Sequence, residues 1–218
     1  MKNLLLLSLL LSFSLNFLSD DENSTKDSSE KENITISDLV KDYSHLEGYF
    51  DSYLDPKTGE VFLQIKQSQI DKEFIYFAHV IDGVVAARRN RGSYLDNGVF
   101  ILRKHLETIR LERVTTNYTF DEDLSLAKSA GANVSNSTLK VFPIIAYNEE
   151  KNQLLVNITS LLLSESLTPI KPITNHDHPN PNKFIWGGIS SEKSKINNVY
   201  NYPQNTDFEV EYVIENPP

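Results

Sequence analysis

The chain has no cysteine among its 218 residues. That one absence removes disulfides, thiolate-held zinc, haem-thiolate and iron–sulfur chemistry, and cysteine nucleophiles. Small secreted domains usually depend on disulfides because their cores are thin. A chain without them folds on burial alone, and the roughly 180 residues that follow its polar segment are enough for a core. Positive charge is in deficit as well: 21 Lys and Arg stand against 30 Asp and Glu, a net charge of −9. A nucleic-acid partner, which needs a basic surface, is therefore not expected. Much of the excess acid lies before residue 33, so the remainder is nearer neutral. The chain also lacks a P-loop, a G-x-G-x-x-G fingerprint, an EF-hand loop and the H-E-x-x-H of zinc peptidases. No G-x-S-x-G elbow occurs. On these grounds the sequence assigns no catalytic, cofactor-binding or metal-ligating residue.

What is present begins with an address. Met1-Lys2-Asn3 carries one positive charge, and Leu4 to Leu18 is an almost unbroken run of Leu, Ser and Phe. A basic start followed by about 7–15 apolar residues has the form of a secretory signal. The run falls short of the ~20 residues of a membrane span, and no second such run exists. Residues 1–19 are read as a signal peptide, with export to the periplasm or the exterior and no membrane association beyond this segment. Residues 20–33 (DDENSTKDSSEKEN) hold no large apolar side chain. They cannot bury enough surface to offset the entropy of ordering them and read as an acidic tether.

Residues 34–218 read as one mainly β domain. Ser37-Asp38 predicts a helix N-cap, with Leu39, Val40, Tyr43 and Leu46 at helical spacing up to Gly48. Tyr49–Leu54 and Val61–Ile65 flank Asp55-Pro56-Lys57-Thr58-Gly59-Glu60, which is turn chemistry and predicts a hairpin. Phe74–Ile81 reads as a strand apolar enough for burial on both faces. Asn97–Arg103 and Thr108–Val114 form a further pair, the second alternating with one wet face. Leu139–Tyr147 and Gln153–Ile158 flank a polar loop, and Phe208–Ile214 is an alternating strand. About eight strands and one or two short helices predict antiparallel sheets forming a sandwich or partial barrel. Residues 121–137 and 164–190 give no clear assignment.

Several residues invite a functional reading. His176-Asp177-His178 places two imidazoles two residues apart, on one face of an extended segment. A zinc site needs three or four ligands with support behind them, so a solvated loop is the simpler reading. Arg88-Arg89-Asn90-Arg91-Gly92 is the strongest basic patch. Its guanidinium forks suit a phosphate or carboxylate, but a turn whose arginines pair with the surplus of surface acids is the preferred reading. His79, within an apolar run, reads as a core histidine. Asn-x-Ser/Thr triplets begin at Asn23, Asn33, Asn117, Asn133, Asn136 and Asn157. In an exported eukaryotic protein they would accept glycans, but Asn157 lies in an apolar strand where a glycan fits poorly.

Gly48-Tyr49-Phe50, Gly59 to Ile65 and Ile70 to Ile75 come first in a longer ordered set of motifs. Arg91-Gly92-Ser93, Val114 to Tyr118, Phe142 to Ala146 and Val156 to Ser160 follow. Lys193-Ser194, Tyr202-Pro203-Gln204-Asn205 and Phe208 to Ile214 close it. In this order they resemble the β-rich N-terminal region of exported bacterial zinc-dependent metallopeptidases, in which that region precedes a metzincin-like catalytic domain. The resemblance spans most of residues 36–216 and departs from the family at Lys193, where an arginine is usual. It implies zinc for the full-length family, held downstream by H-E-x-x-H-x-x-G-x-x-H, with no cofactor in this chain. It also implies a catalytic metallopeptidase domain as the partner of these strands. The expected function is therefore a non-catalytic scaffold or cover. The alternatives are a stand-alone periplasmic or cell-surface binding module and, least favoured, a small hydrolase built on His176, His178 and an acid.

Overall fold

Two stretches that both read as apolar strands end up in opposite environments. In β3 (Val61–Lys66) every residue but the last is buried. In β4 (Glu73–His79) exposure alternates along the whole strand. The structure, a computed structural model, describes residues 35–85, 89–118, 134–171 and 187–215. Among these are eleven strands, more than sequence pattern predicts, and two four-residue helices. The fold class is mainly β, as expected.

β3 lies at the middle of a five-stranded antiparallel sheet. Its neighbours are β2 (Asp51–Leu54), β1 (Ser44–Leu46), β9 (Gln153–Asn157) and β8 (Ala146–Asn148), in the order β1-β2-β3-β9-β8. The hairpin from β2 to β3 follows its turn residues. Asp55 accepts the N–H of Lys57 and the hydroxyl of Thr58, both at 2.8 Å. Those bonds, the Lys57 N–H foremost, hold the Asp55 carboxyl below its ordinary range. A second sheet orders β4, β5 (Tyr94–His105), β6 (Thr108–Arg113) and β7 (Ser137–Pro143) as β4-β5-β6-β7. A long hairpin, β10 (Ile189–Tyr202) with β11 (Asn205–Ile214), forms the third. Among the described residues no sheet closes into a barrel, and the arrangement is sandwich-like.

The core follows from side-chain alternation. Val61, Leu63 and Ile65 of β3 meet Phe100 and Leu102 of β5, Ile109 and Leu111 of β6, and Leu154 and Val156 of β9. Phe62, from the opposite face of β3, packs with Leu155, Ala146, Ile36 and Val40. Helix α1 (Ile36–Leu39) covers that second face. Each fully buried aliphatic or aromatic side chain contributes about 1.5–3 kcal/mol. An aromatic chain ties the layers: Phe50 to Phe74 at 5.4 Å, Phe74 to Phe100 at 6.1 Å and Phe100 to Tyr76 at 4.7 Å between centroids.

Four expectations change. The first helix is a single turn capped by Thr35, whose side chain accepts the Asp38 N–H, rather than by Ser37. Residues 44–46 leave helical spacing to pair with Leu54, Tyr53 and Ser52 of β2. Strand pairing there overrides local propensity. Residues 139–147 are not one strand: Pro143 breaks the ladder. The Ile144 N–H then goes to Glu107 of the second sheet and the Ile145 N–H to Leu155 of the first. β10 begins inside the region without assignment. Its register shifts at Ser190/Lys195, where the Ser194 hydroxyl donates to the Ser190 carbonyl (2.6 Å) and accepts the Val213 N–H (2.9 Å). β4, finally, is an edge strand with one open face rather than a strand buried on both sides.

Candidate functional site

The histidine pair that invited a metal reading cannot be placed. His176, Asp177 and His178 lie outside the described residues, as do Arg88 and Trp186. His45 stacks on Tyr53 at 4.6 Å. His79 is exposed beside Phe77, with ring centroids 6.0 Å apart, and is not a core residue. The strand forms as its pattern predicts, but alternation turns His79 to the open face of β4. Among the described residues, no three His, Cys, Asp or Glu side chains converge as a metal site would require.

The basic patch divides its work. Arg91 pairs with Asp82 on the surface, as expected from the surplus of acids. Arg89 instead donates through Nε to the Ile170 carbonyl at 2.9 Å and through Nη2 to Lys171 at 3.3 Å. It thereby straps residues 169–171 to the β4–β5 connection. In the same loop the Glu165 carboxylate accepts the N–H groups of Ile170 and Lys171, both at 2.9 Å, and pairs with the Lys171 ammonium at 3.0 Å. Burial pushes its carboxyl upward. The Lys171 N–H, the Lys171 ammonium and the Ile170 N–H together outweigh burial and hold it below the carboxylate range. Tyr212 donates to the Leu162 carbonyl at 2.7 Å. Burial, with Glu165 nearby, pushes its phenol up to about 12. Both groups keep one charge state through neutral pH, so neither suits proton transfer there.

A shallow depression of about 400 Å³ lies beside the β5–β6 turn, walled by Gln67, Lys104, Glu107, Tyr147 and Asn152 among others. Tyr147 donates to Glu107 at 3.0 Å, and the Lys104 ammonium sits 4.8 Å from the Tyr147 ring centroid. Burial and then the Glu107 bond raise the Tyr147 phenol. Leu106 at the turn and Asn152 in the wall both have φ +50°. Tyr147 thus links Glu107 and Lys104 across the hollow, which Glu149 also lines.

Four of the ordered motifs meet in two pairs. Asn201 donates through Nδ2 to the carbonyls of Leu46 (2.7 Å) and Phe50 (2.6 Å) and accepts the Thr206 hydroxyl at 2.6 Å. Thr206 accepts the Phe50 N–H, and Tyr49 donates to Tyr202 at 2.8 Å. Gly48 admits this clasp, because a Cβ there would stand 2.2 Å from Asn201 Oδ1. A second clasp joins β9 to β3. Asn157 donates to Glu60 at 2.9 Å and accepts the Thr159 N–H, while the Thr159 hydroxyl accepts the Val61 N–H at 2.9 Å. Asn157 is thus committed to structure. Lys193 pairs with Glu215 at 2.9 Å on the surface. Composition could not single out Asn201 or Thr206; only the spacing of Gly48 against an Asn-Tyr-Pro turn hints at them.

No helix among the described residues is long and apolar enough to cross a membrane. No curated protein and no solved structure matches the chain. One family model does, over residues 92–217, which take in β5 through β11. That segment is more than half of the chain, and the protein belongs to the family described as Domain of unknown function (DUF5117).

Proposed function

We propose that these strands are the non-catalytic N-terminal scaffold or cover of an exported zinc-dependent metallopeptidase. The observation that supports this reading is where the metallopeptidase-like motifs go. Gly48-Tyr49-Phe50 meets Asn201-Tyr202 in one clasp, and Gly59 to Ile65 meets Val156 to Thr159 in another. Residues spent on holding sheets together are what a supporting body requires, while the water-activating zinc of such an enzyme belongs to a downstream H-E-x-x-H helix. Reading the gene beyond codon 218 tests the proposal. An in-frame H-E-x-x-H-x-x-G-x-x-H is expected; its absence over the next several hundred codons overturns the reading. The chain purified as it stands is expected to retain no stoichiometric zinc and to cleave no peptide.

One feature favours a second reading, a stand-alone periplasmic or cell-surface binding module: the polar hollow at Lys104, Glu107 and Tyr147. A chain whose gene ends without a peptidase domain, and which melts cooperatively as a monodisperse species, would support it.

A further inference from the structure

Sheet edges are ready templates for another strand, and proteins normally guard them. β1 and β8 are only three residues long. β7 carries Lys140 and Pro143 and faces a register shift. β10 and β11 carry Lys193, Lys195, Glu209 and Glu211, and their ladder shifts twice. β4 has none of these devices between Glu73 and His79. Its one ladder irregularity, beside His79, places the extra residue, Leu95, in β5. Ile75 is 83 % exposed and Phe77 60 %. Tyr94 lies 5.9 Å from Phe77, and the exposed Ile81, Val84 and Val85 extend the apolar surface past the strand's end.

The main chain says which groups are open. The Val99 carbonyl accepts the Val114 N–H of the β6 side, so alternation turns Phe100 toward β4. Phe100 stands opposite Phe74, which commits the main chain of 74, 76 and 78 to β5. Val80 follows the same parity, donating to Ser93. Glu73, Ile75, Phe77 and His79 therefore present their N–H and carbonyl groups outward, and no described strand takes them.

We propose that β4 pairs antiparallel with β4 of a second copy of this chain about a twofold axis at Tyr76. This inference does not rest on the reading above. A twofold interface must be self-complementary, and this strand is so in one register. Centred on Tyr76, Ile75 stands opposite Phe77 of the partner and Glu73 opposite His79, and all four outward residues are paired. Shifting the centre to Ile75 sets Glu73 against Phe77; shifting it to Phe77 sets Ile75 against His79. Cross-strand partners of matched chemistry stabilise a sheet and mismatched ones do not. The pairing joins two four-stranded sheets into one.

Sedimentation of the purified full chain tests this. The mass is expected to rise from one chain toward two with concentration, and Phe77→Lys to weaken association by at least about tenfold without lowering the melting temperature. Because the chain lacks cysteine, engineered thiols report the register independently of that variant. A mixture of Ile75→Cys and Phe77→Cys chains is expected to cross-link on mild oxidation, and each variant alone far less. A charge swap carrying both Glu73→Lys and His79→Glu is expected to restore the dimer that either single change weakens. A chain that stays monomeric at high concentration overturns the proposal, as does a dimer indifferent to Phe77→Lys, equal cross-linking of Ile75→Cys with itself, or occupation of the edge by a different protein.

Discussion

β3 and β4 have nearly the same apolar content but opposite settings. β3 has a strand on each side and a packed layer on each face: Val61, Leu63 and Ile65 enter one cluster and Phe62 the other. Its one polar interior residue, Gln64, accepts the Tyr53 hydroxyl at 3.1 Å. β4 has one neighbour and one covered face, with Phe74 and Tyr76 packed inward and Ile75 and Phe77 outward. Apolar content therefore states how much side chain needs cover. Whether the same chain provides that cover is decided by strand order, which is a long-range property.

The comparison is sharpened most by removing a side chain where cover is complete. Leu155, fully buried in β9 behind Phe62, is expected to cost about 2–5 kcal/mol on Leu155→Ala. Equilibrium denaturation should show a lowered midpoint with an unchanged slope. A loss below about 1 kcal/mol would mean that the face under α1 is loosely packed, and β3 would be no better covered than β4.

The clasp at Gly48 comes next. Asn201→Ala removes the Nδ2 donor from the Leu46 and Phe50 carbonyls, leaving Phe50 the Ser52 hydroxyl, and is expected to cost about 1–3 kcal/mol. Gly48→Ala drives a Cβ into Asn201 Oδ1 and is expected to destabilise by a similar amount. The two are not additive: in the Asn201→Ala background the obstructing amide is gone, so Gly48→Ala should cost much less there. A double-mutant cycle by thermal unfolding measures that coupling, and strict additivity would show that the two do not meet.

Much of this was legible beforehand. The β2–β3 hairpin announced itself through Asp55-Pro56 and Gly59, because that chemistry acts within six residues. β6 showed its polar face through Arg110 and Glu112, which the structure leaves half-buried rather than open to water. β10 did not, because Asn197-Asn198 and Asn201 are poor strand formers held there by pairing with β11. The split at Pro143 needed knowledge of two sheets competing for consecutive N–H groups. The clasp residues were legible only as motifs, since Leu46 and Asn201 lie 155 positions apart.

Beyond β3 and β4, the loop over residues 163–171 gives a smaller, pH-dependent effect. The Glu165 carboxyl is held below its unfolded value, so its stabilising contribution is fully present above the ordinary carboxylate pKa of about 4.3 and fades as pH falls through the folded value. Glu165→Gln should lower stability near neutrality and narrow its difference from the parent chain as pH drops below about 4. Melting temperatures of both proteins across that window check the sign. A difference that grows on acidification would show that burial, rather than the Ile170 and Lys171 N–H groups, governs this carboxylate.

The smallest expected effect probes the open face of β4 itself. Ile75→Thr keeps β-branching, and so strand propensity, while removing apolar surface that water already reaches. In the isolated fold it should change stability by no more than about 0.5 kcal/mol, against several for Leu155→Ala. The measurement must be made at low protein concentration, because anything that binds only the folded chain stabilises it by mass action. If Ile75 is covered by another copy, the penalty of Ile75→Thr grows with concentration while that of Leu155→Ala does not. A constant, large penalty at every concentration would mean that this face is covered from within the chain, and the distinction between β3 and β4 would fall.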